Sequence, residues 1–390
     1  MAKKIAKRGN DEGSIRKRKD KRYEGRITAG FDYVKNKPIR MSVYGDTQKE
    51  MLRKLEEIKV KKHTGTFVNP NKLSVAEWFD NWLEIYAKNA VRPSTWDSYE
   101  TMVRVHIKPM IGQISLQELL PVHLQKLYNQ KLESGRVRNG GALSAKTVKY
   151  IHVVIHKALK QAKIERLVFE NVADHATIPK QKKHEICPLT ADELIVFLEA
   201  AKGHRFYVPF LVECYTGVRR GELLGLRWRD ISFDKKTLSI RNSLIRTRKG
   251  LVMSEPKTES SKRTIVIDDE VMNELKALKV KQSQEKLMAG RSYDNSDFVF
   301  CNAIGKPIEP RNLTRQFEAL LKQANLPRIR FHDLRHSHAT LLLMQNVQPK
   351  YVQDRLGHST ISTTMDTYSH ILPSMQAEAS EKVSQALKRR

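Results

Sequence analysis

The chain is poor in cysteine, in long apolar runs and in negative charge, and each shortage removes a class of protein. Only three cysteines, Cys187, Cys214 and Cys301, occur in 390 residues. They are widely spaced and odd in number, which argues against a disulfide framework and fits a reducing cytosol. No Cys-x-x-Cys pair is present, so a structural zinc site is not expected. No apolar stretch approaches the roughly twenty residues that a membrane span needs. Met1-Ala2-Lys3-Lys4 leads into neither a long apolar segment nor a small-residue cleavage site, so a secretory signal is not expected. There is no lipidation signal and no internal repeat. The shortage of acid is the most telling: 43 Asp and Glu face 71 Lys and Arg, a formal charge of +28 with a pI near 9.9. Such a field collects polyanions, and nucleic acid is the first candidate. An anionic membrane surface would call for a basic amphipathic helix with large apolar residues opposite, and none stands out. The expectation is a cytoplasmic, nucleoid-associated protein of two or three domains.

The most basic stretch is residues 1–64, where a basic arm precedes three strand-like runs, 13–19, 22–31 and 39–44. Asp20-Lys21 and Asn36-Lys37-Pro38 supply the turns between them. Asp46-Thr47 opens a helix from Gln48 to about Lys62 with Met51, Leu52, Leu55 and Ile58 on one side. A three-stranded sheet backed by one helix, with Arg16, Arg18, Arg22 and Arg26 outward, suits a major groove. The plainer alternative is a solvated basic face with no specific partner.

A linker near 63–71 leads to a segment, 72–180, that reads as almost wholly helical. Ser74 and Thr95 are candidate caps, and Trp78, Phe79, Trp82, Leu83 and Tyr86 recur at core spacing. Pro109, Gly112 and Pro121 are expected to break the helices. Ser144 starts another, with Val148, Ile151, Val154, Ile155 and Leu159 inward and Lys146, Lys149 and Lys157 on the polar side, where they meet either phosphates or water. After a basic linker, the segment 186–390 opens at Thr190 with helices near 192–202, 204–216 and 220–228. Strands are expected at 237–248, 252–253 and 263–267, and helices from Asp269 onward.

Three clusters in this last segment carry chemistry. Arg219 follows a glycine turn at a helix start and stands three residues from Glu222, so the two share one side of the first turn. His332 and Arg335 are likewise neighbours in His332-Asp333-Leu334-Arg335-His336. An arginine fork for nonbridging oxygens beside an imidazole for proton movement is what phosphoryl transfer uses. His332, Asp333 and His336 also have the spacing of a metal-dependent phosphohydrolase, although Arg335 sits awkwardly beside a divalent cation. His358 precedes Tyr368 by ten residues, and Lys257 lies at an expected hairpin between strands. Each residue alone is most often an ordinary polar side chain. Together they suggest a phenolic oxygen attacking a phosphodiester.

This set resembles the tyrosine recombinases, and among them the integrases of Gram-positive phages and conjugative transposons. The matching stretches are residues 216–228 (TGVRRGELLGLRW), 256–265, 331–340 (FHDLRHSHAT) and 356–370 (LGHSTISTTMDTYSH). The resemblance implies six catalytic residues, Arg219, Lys257, His332, Arg335, His358 and Tyr368, with Glu222 in support and neither cofactor nor metal. In the implied reaction Tyr368 attacks DNA and gives up its proton, with His332 as acceptor. Arg219 and Arg335 neutralise the phosphate, His358 adds a donor and Lys257 protonates the departing 5′ oxygen. A 3′-phosphotyrosyl linkage results, which a 5′ hydroxyl from a partner duplex reverses.

The implied architecture is multidomain α+β: an arm-binding domain (1–64) of a three-stranded sheet plus helix, a helical core-binding domain (72–180), and a mainly helical catalytic domain (186–390) with a small antiparallel sheet. The implied partners are core and arm attachment sites in double-stranded DNA, three further copies of the chain in a tetramer, an excisionase and a host DNA-bending protein. Residues 373–390, with Met375, Ala379, Val383 and Leu387 four apart, would pack on a neighbouring copy or on their own subunit. Two rivals remain on the residues alone: a non-catalytic DNA-binding regulator and a type IB topoisomerase-like enzyme.

Overall fold

The computed structural model describes residues 14–32, 36–63, 72–136, 139–181, 187–255 and 261–357, together with positions 360, 384 and 387. The chain divides into two compact units, 1–182 and 183–390.

The first unit begins with an antiparallel sheet, β1 (Ser14–Lys17), β2 (Tyr23–Asp32) and β3 (Lys37–Gly45), in that order. Helix α1 (Gln48–His63) comes next. Strand alternation sends Gly25 and Ile27 to the face that Met51 and Leu55 of α1 cover, and these four are buried. A Cβ on Gly25 would stand 2.5 Å from both Leu55 and Met51, so glycine is what lets the helix lie flat on the sheet.

The rest of the unit is helical. Ser74 caps α2 (Val75–Asn81) in a reciprocal capping box with Glu77. The chain continues through a π-helical turn, Trp82–Ala87, into α3 (Lys88–Ala90). Helix α4 (Pro93–Met102) corrects the expected cap: Arg92 is its N-cap and Pro93 its first residue, while the Thr95 amide already bonds the Arg92 carbonyl. A second correction concerns Pro109. It does not break the helix, because a π turn, Val103–Ile107, carries α4 into α5 (Lys108–Ile111), with the Lys108 amide bonding the Val103 carbonyl five residues back. Proline has no amide hydrogen to donate and its ring crowds the preceding turn, which the wider π turn accommodates. Pro121 starts α6 (Pro121–Glu133) rather than ending a helix, and Ser144 caps α7 (Ala145–Ile164). The five inward positions expected on α7 are all buried, alongside Trp78, Phe79, Trp82 and Leu83. Lys146 and Lys149 are exposed. Lys157 instead donates to the Tyr99 hydroxyl at 2.7 Å and lies against that ring, so it belongs to the helical packing.

In the second unit a capping box of Thr190 and Glu193 opens α8 (Ala191–Ala201), followed by α9 (Tyr207–Thr216) and the short α10 (Arg220–Leu224). The run 237–248 is not one strand. β4 (Ile231–Ser232), β5 (Thr237–Ile240) and β8 (Arg263–Val266) make one antiparallel sheet, while β6 (Ser243–Thr247) and β7 (Gly250–Ser254) form a separate hairpin. The interruption at 241–242 lets β6 leave that sheet and lie against α10: a Cβ on Gly221 would stand 2.4 Å from the Ser243 hydroxyl. Four helices complete the described part, α11 (Asp269–Ala289), α12 (Pro310–Gln323), α13 (Asp333–Met344) and α14 (Pro349–Leu356). Phe197, Phe210, Phe317 and Phe331 meet edge-on or tilted at the centre of this core, which joins α8, α9 and α12 to the segment entering α13. Among the described residues no helix is long and apolar enough to cross a membrane.

Candidate active site

The site is built on two helix ends that stop in the same way. Helix α9 ends at Gly217 (φ 61°) and α14 ends at Gly357 (φ 68°), both left-handed. Only glycine adopts this conformation without cost, and at Gly217 any Cβ would also collide with His338 and Leu356. The first turn leads into Arg219, two residues after Gly217.

Arg335, on α13, ties the two turns together. It is 1% exposed, and it donates from Nη1 to the Gly217 carbonyl and from Nη2 to the Leu356 carbonyl, both at 2.8 Å. Arg219 donates to the next carbonyl along the chain, that of Gly357, at 2.8 Å. The two guanidinium groups therefore meet around the end of α14, and each retains N–H groups for an anion. Burial, with Arg219 and Arg263 close by, pushes the Arg335 guanidinium down to about 9, still charged at neutral pH.

Glu222 holds this concentration of positive charge. Its carboxylate is 3% exposed and accepts from the Arg219 side chain at 2.7 Å and the Arg219 amide at 3.0 Å. It also accepts from Arg263 at 2.9 Å. Burial alone would raise its carboxyl, but Arg263 and Arg219 outweigh that and hold it below the ordinary carboxylate range. Arg263 is nearly buried and donates as well to the carbonyls of Arg355 and Ser261. It therefore links β8 to the last turn of α14. Sequence reasoning did not single out Arg263, because nothing in a strand pattern separates an arginine facing a buried carboxylate from one facing water.

His332 is the N-cap of α13 and shares with Arg219 a cleft of about 650 Å³, also lined by Arg220, Arg246 and Arg330. Its imidazole is pushed below the usual histidine range by partial burial and by Arg335, so it is neutral at pH 7 and can accept a proton. The hydrogen bonds of the Asp333 carboxylate go to Arg330 rather than to the histidines. It takes the Arg330 amide at 2.8 Å and the Arg330 side chain at 2.8–3.2 Å. The rings of His332 and His336 meet edge-on at 5.3 Å. Among the described residues no group of three His, Cys, Asp or Glu is placed to hold a metal ion.

His338, also unanticipated, is locked by two bonds. Its Nδ1 lies 2.9 Å from the Cys214 carbonyl, and its Nε2 accepts from Arg355 at 3.2 Å. That pattern requires the neutral tautomer with the proton on Nδ1. Burial, then Arg355, brings its pKa to about 3, and burial with the neighbouring His332 brings His336 to about 4, against an ordinary 6.5. An unfolded chain binds these protons below about pH 6.5 and the fold resists them, so stability falls as pH drops from there towards 3–4. Each group contributes at most about 1.4 kcal/mol per pH unit. Melting temperatures at pH 7.5 and 5.0 should differ markedly. His338→Gln, whose amide supplies a donor and an acceptor without titrating, should narrow the gap; identical pH profiles in the two proteins would reject this account.

Lys257, His358 and Tyr368 lie outside the described residues. Lys257 falls between the end of β7 and the start of β8, and His358 comes after α14. In the first unit, Arg16 and Arg26 both bond Glu24, while Arg18 and Arg22 flank the β1–β2 turn near Asp20. The Arg18 guanidinium sits 5.3 Å from the centre of the Tyr44 ring.

Known proteins share both the sequence and the fold. The model of the phage integrase family matches residues 188–375, and that of the phage integrase N-terminal SAM-like domain matches 74–132. A protein described as tyrosine recombinase XerC-like, from Caldanaerobacter subterraneus subsp. tengcongensis, is 31% identical over 381 residues, covering 93% of this chain and 95% of its own. The ICEBs1 integrase of Bacillus subtilis is 24% identical over 391 residues, covering 96% and 100%. Among solved structures, the Tn1549 transposon integrase in complex with circular intermediate DNA is similar in fold (TM-score 0.65, 22% identity, 79% of this chain and 99% of that one). So is a lambda integrase tetramer bound to a Holliday junction (TM-score 0.52, 18% identity, 89% and 95%). The mostly helical architecture with small antiparallel sheets is the one expected from the sequence.

Proposed function

We propose that this chain, which belongs to the phage integrase family and is a tyrosine-type site-specific recombinase, integrates and excises a mobile element through the six side chains Arg219, Lys257, His332, Arg335, His358 and Tyr368. The observation that carries the assignment is the pair Arg219 and Arg335, hydrogen-bonded to the adjacent carbonyls of residues 357 and 356. Two fixed guanidinium groups suit one phosphodiester, because charge growing on its oxygens meets donors that need no reorganisation. Tyr368 supplies the attacking oxygen. A free phenol has a pKa near 10 and is a poor nucleophile at neutral pH, so the proton must leave during attack, and the neutral ring of His332 is available to take it. His358 adds a hydrogen bond to the same phosphate. Lys257 gives a proton to the departing 5′ oxygen. The DNA strand is then held as a 3′-phosphotyrosyl ester, and the 5′ hydroxyl of a second duplex attacks it and frees Tyr368.

In this reading residues 1–64, 72–180 and 186–390 act as arm-binding, core-binding and catalytic domains. The buried residues of the N-terminal sheet and α1 do not join the helical core, which is consistent with separate folding. Lys146 and Lys149 contact the core-site backbone. The protein works as a tetramer on two duplexes, with an excisionase and a host DNA-bending protein setting direction.

The test is a duplex carrying a nick close to the cleavage position, which loses its short 5′-hydroxyl fragment after attack. The protein should remain linked to the 3′ phosphate in excess EDTA, and digestion of the adduct should leave the DNA on the peptide containing Tyr368. A linkage on any other residue removes the assignment. Sequence-independent relaxation of supercoiled DNA would favour the topoisomerase reading instead.

A further inference from the structure

The N-terminal sheet carries a buried carboxylate on its otherwise cationic open face. The strand register places Glu24 opposite both Arg16 and Tyr44, and Arg26 opposite Ser14 and Ser42, so all six side chains share the face turned away from α1. Glu24 is only 1% exposed, because Arg16 and Arg26 fold over it from either side. Their own side chains remain 59% and 43% exposed.

The atoms involved decide what the arginines can do. Arg16 donates from Nε to Glu24 Oε2 at 2.6 Å, and Arg26 donates from Nε to Oε1 at 2.8 Å. Ser42, on the third strand, holds Oε1 at 2.9 Å. Among the described residues, neither arginine has a hydrogen-bond partner at its terminal nitrogens. Each guanidinium is thus anchored at the base of its fork and presents both Nη groups forward. That is the geometry for bidentate contact with O6 and N7 of guanine in a major groove. An anchored fork also suits a phosphate, as Glu222 and Arg219 show, but on a sheet face laid in a major groove it meets base edges. Fixing the fork in advance removes side-chain entropy that binding would otherwise lose. Because one carboxylate holds both forks, they stand close enough to address consecutive base pairs, which rise by about 3.4 Å.

We propose that Glu24 presents Arg16 and Arg26 as a pair of guanine-reading forks, and that the arm-type site of this protein contains two G·C pairs in neighbouring steps. This rests on the reading of residues 1–64 as an arm-binding domain and adds which residues read bases and which base they read. Arg18 and Arg22, beside the turn and without such an anchor, contact phosphates.

The experiment uses the full chain carrying Tyr368→Phe, so that bound duplexes are not cut, and a library of random duplexes at fixed salt. Sequencing the bound fraction should return a motif with two adjacent G·C pairs, and enrichment of that motif should collapse with Arg16→Lys or Arg26→Lys. In titrations on the recovered duplex, each lysine variant should lose roughly ten-fold in affinity and accept other bases at one of the two positions. The dependence on salt should not change, because the charge is retained and no phosphate contact is lost. Glu24→Gln should bind random duplexes at least as tightly as the parent while discriminating the motif about ten-fold less. Unchanged melting and unchanged enrichment of the core-site motif show that the variants are folded.

If the lysine variants bind the motif like the parent, or weaken on all sequences equally, the forks are not base readers and the inference is overturned while the arm reading stands. If no motif depends on the N-terminal sheet at all, the arm reading falls with it.

Discussion

With Tyr368→Phe, the nicked duplex is expected to stay bound and to remain wholly unlinked, covalent capture falling by at least about 10⁴-fold. The substitution removes one oxygen atom and leaves the aromatic ring. Affinity measured by gel shift should therefore stay within about two-fold of the parent, since the arginines and the basic surface supply the binding. The other five residues of the proposed site are cations or imidazoles, and none of them carries a hydroxyl to take the place of the phenol. A denaturing gel separates the two quantities: the native protein runs as a DNA adduct and the variant as free DNA. An adduct that persists in the variant would move the nucleophile elsewhere and with it the family's reaction scheme for this chain.

Arg335→Lys is expected to lower cleavage by about 10³-fold although the positive charge is kept. Lysine has three donors on one nitrogen and cannot span the Gly217 and Leu356 carbonyls while also facing a phosphate. The effect should reach beyond catalysis. Arg335 is buried, and the two carbonyls it satisfies lie at the ends of α9 and α14. Leaving either carbonyl without a donor costs about 1–3 kcal/mol, so denaturant unfolding of the catalytic unit should shift to lower concentration. The combination is the diagnostic. A residue that only touches phosphate would lower cleavage and leave stability alone, whereas a purely structural arginine would lower stability and cleavage in proportion. Loss of cleavage far beyond the unfolded fraction is the expected outcome.

Much of the protein could be read before any fold was known, and the reasons are local. Helix starts were visible where a short polar residue precedes a glutamate by three, as at Ser74 and Thr190, because the capping bonds are closed within one turn. The inward face of α7 followed from its period. The three N-terminal strands and the turn at Asp20-Lys21 followed from the sequence, whereas Lys37 and Pro38, expected in the second turn, belong to β3. Where expectation failed, a neighbour distant in sequence or an alternative backbone register intervened. Pro109 sits within a continuous helical run because a π turn absorbs it, and propensity alone gives no sign of that. The run 237–248 has unbroken strand character, yet it serves two sheets because β5 pairs with β8 while β6 packs on α10.

For the active site the division is the same. The residue types, their clustering and the excess of positive charge came from the sequence alone, and together with the family resemblance they pointed to a reaction and to the nucleophile proposed for it. Only the folded chain decided that Arg335 spends two donors on carbonyls 118 and 21 residues away, that Arg263 shares Glu222 with Arg219, and that His338 is held neutral between Cys214 and Arg355. Burial is the cause of the difference. A charged group taken out of water must find its partners wherever the packing has placed them, and that choice leaves no mark on the residues beside it in the chain.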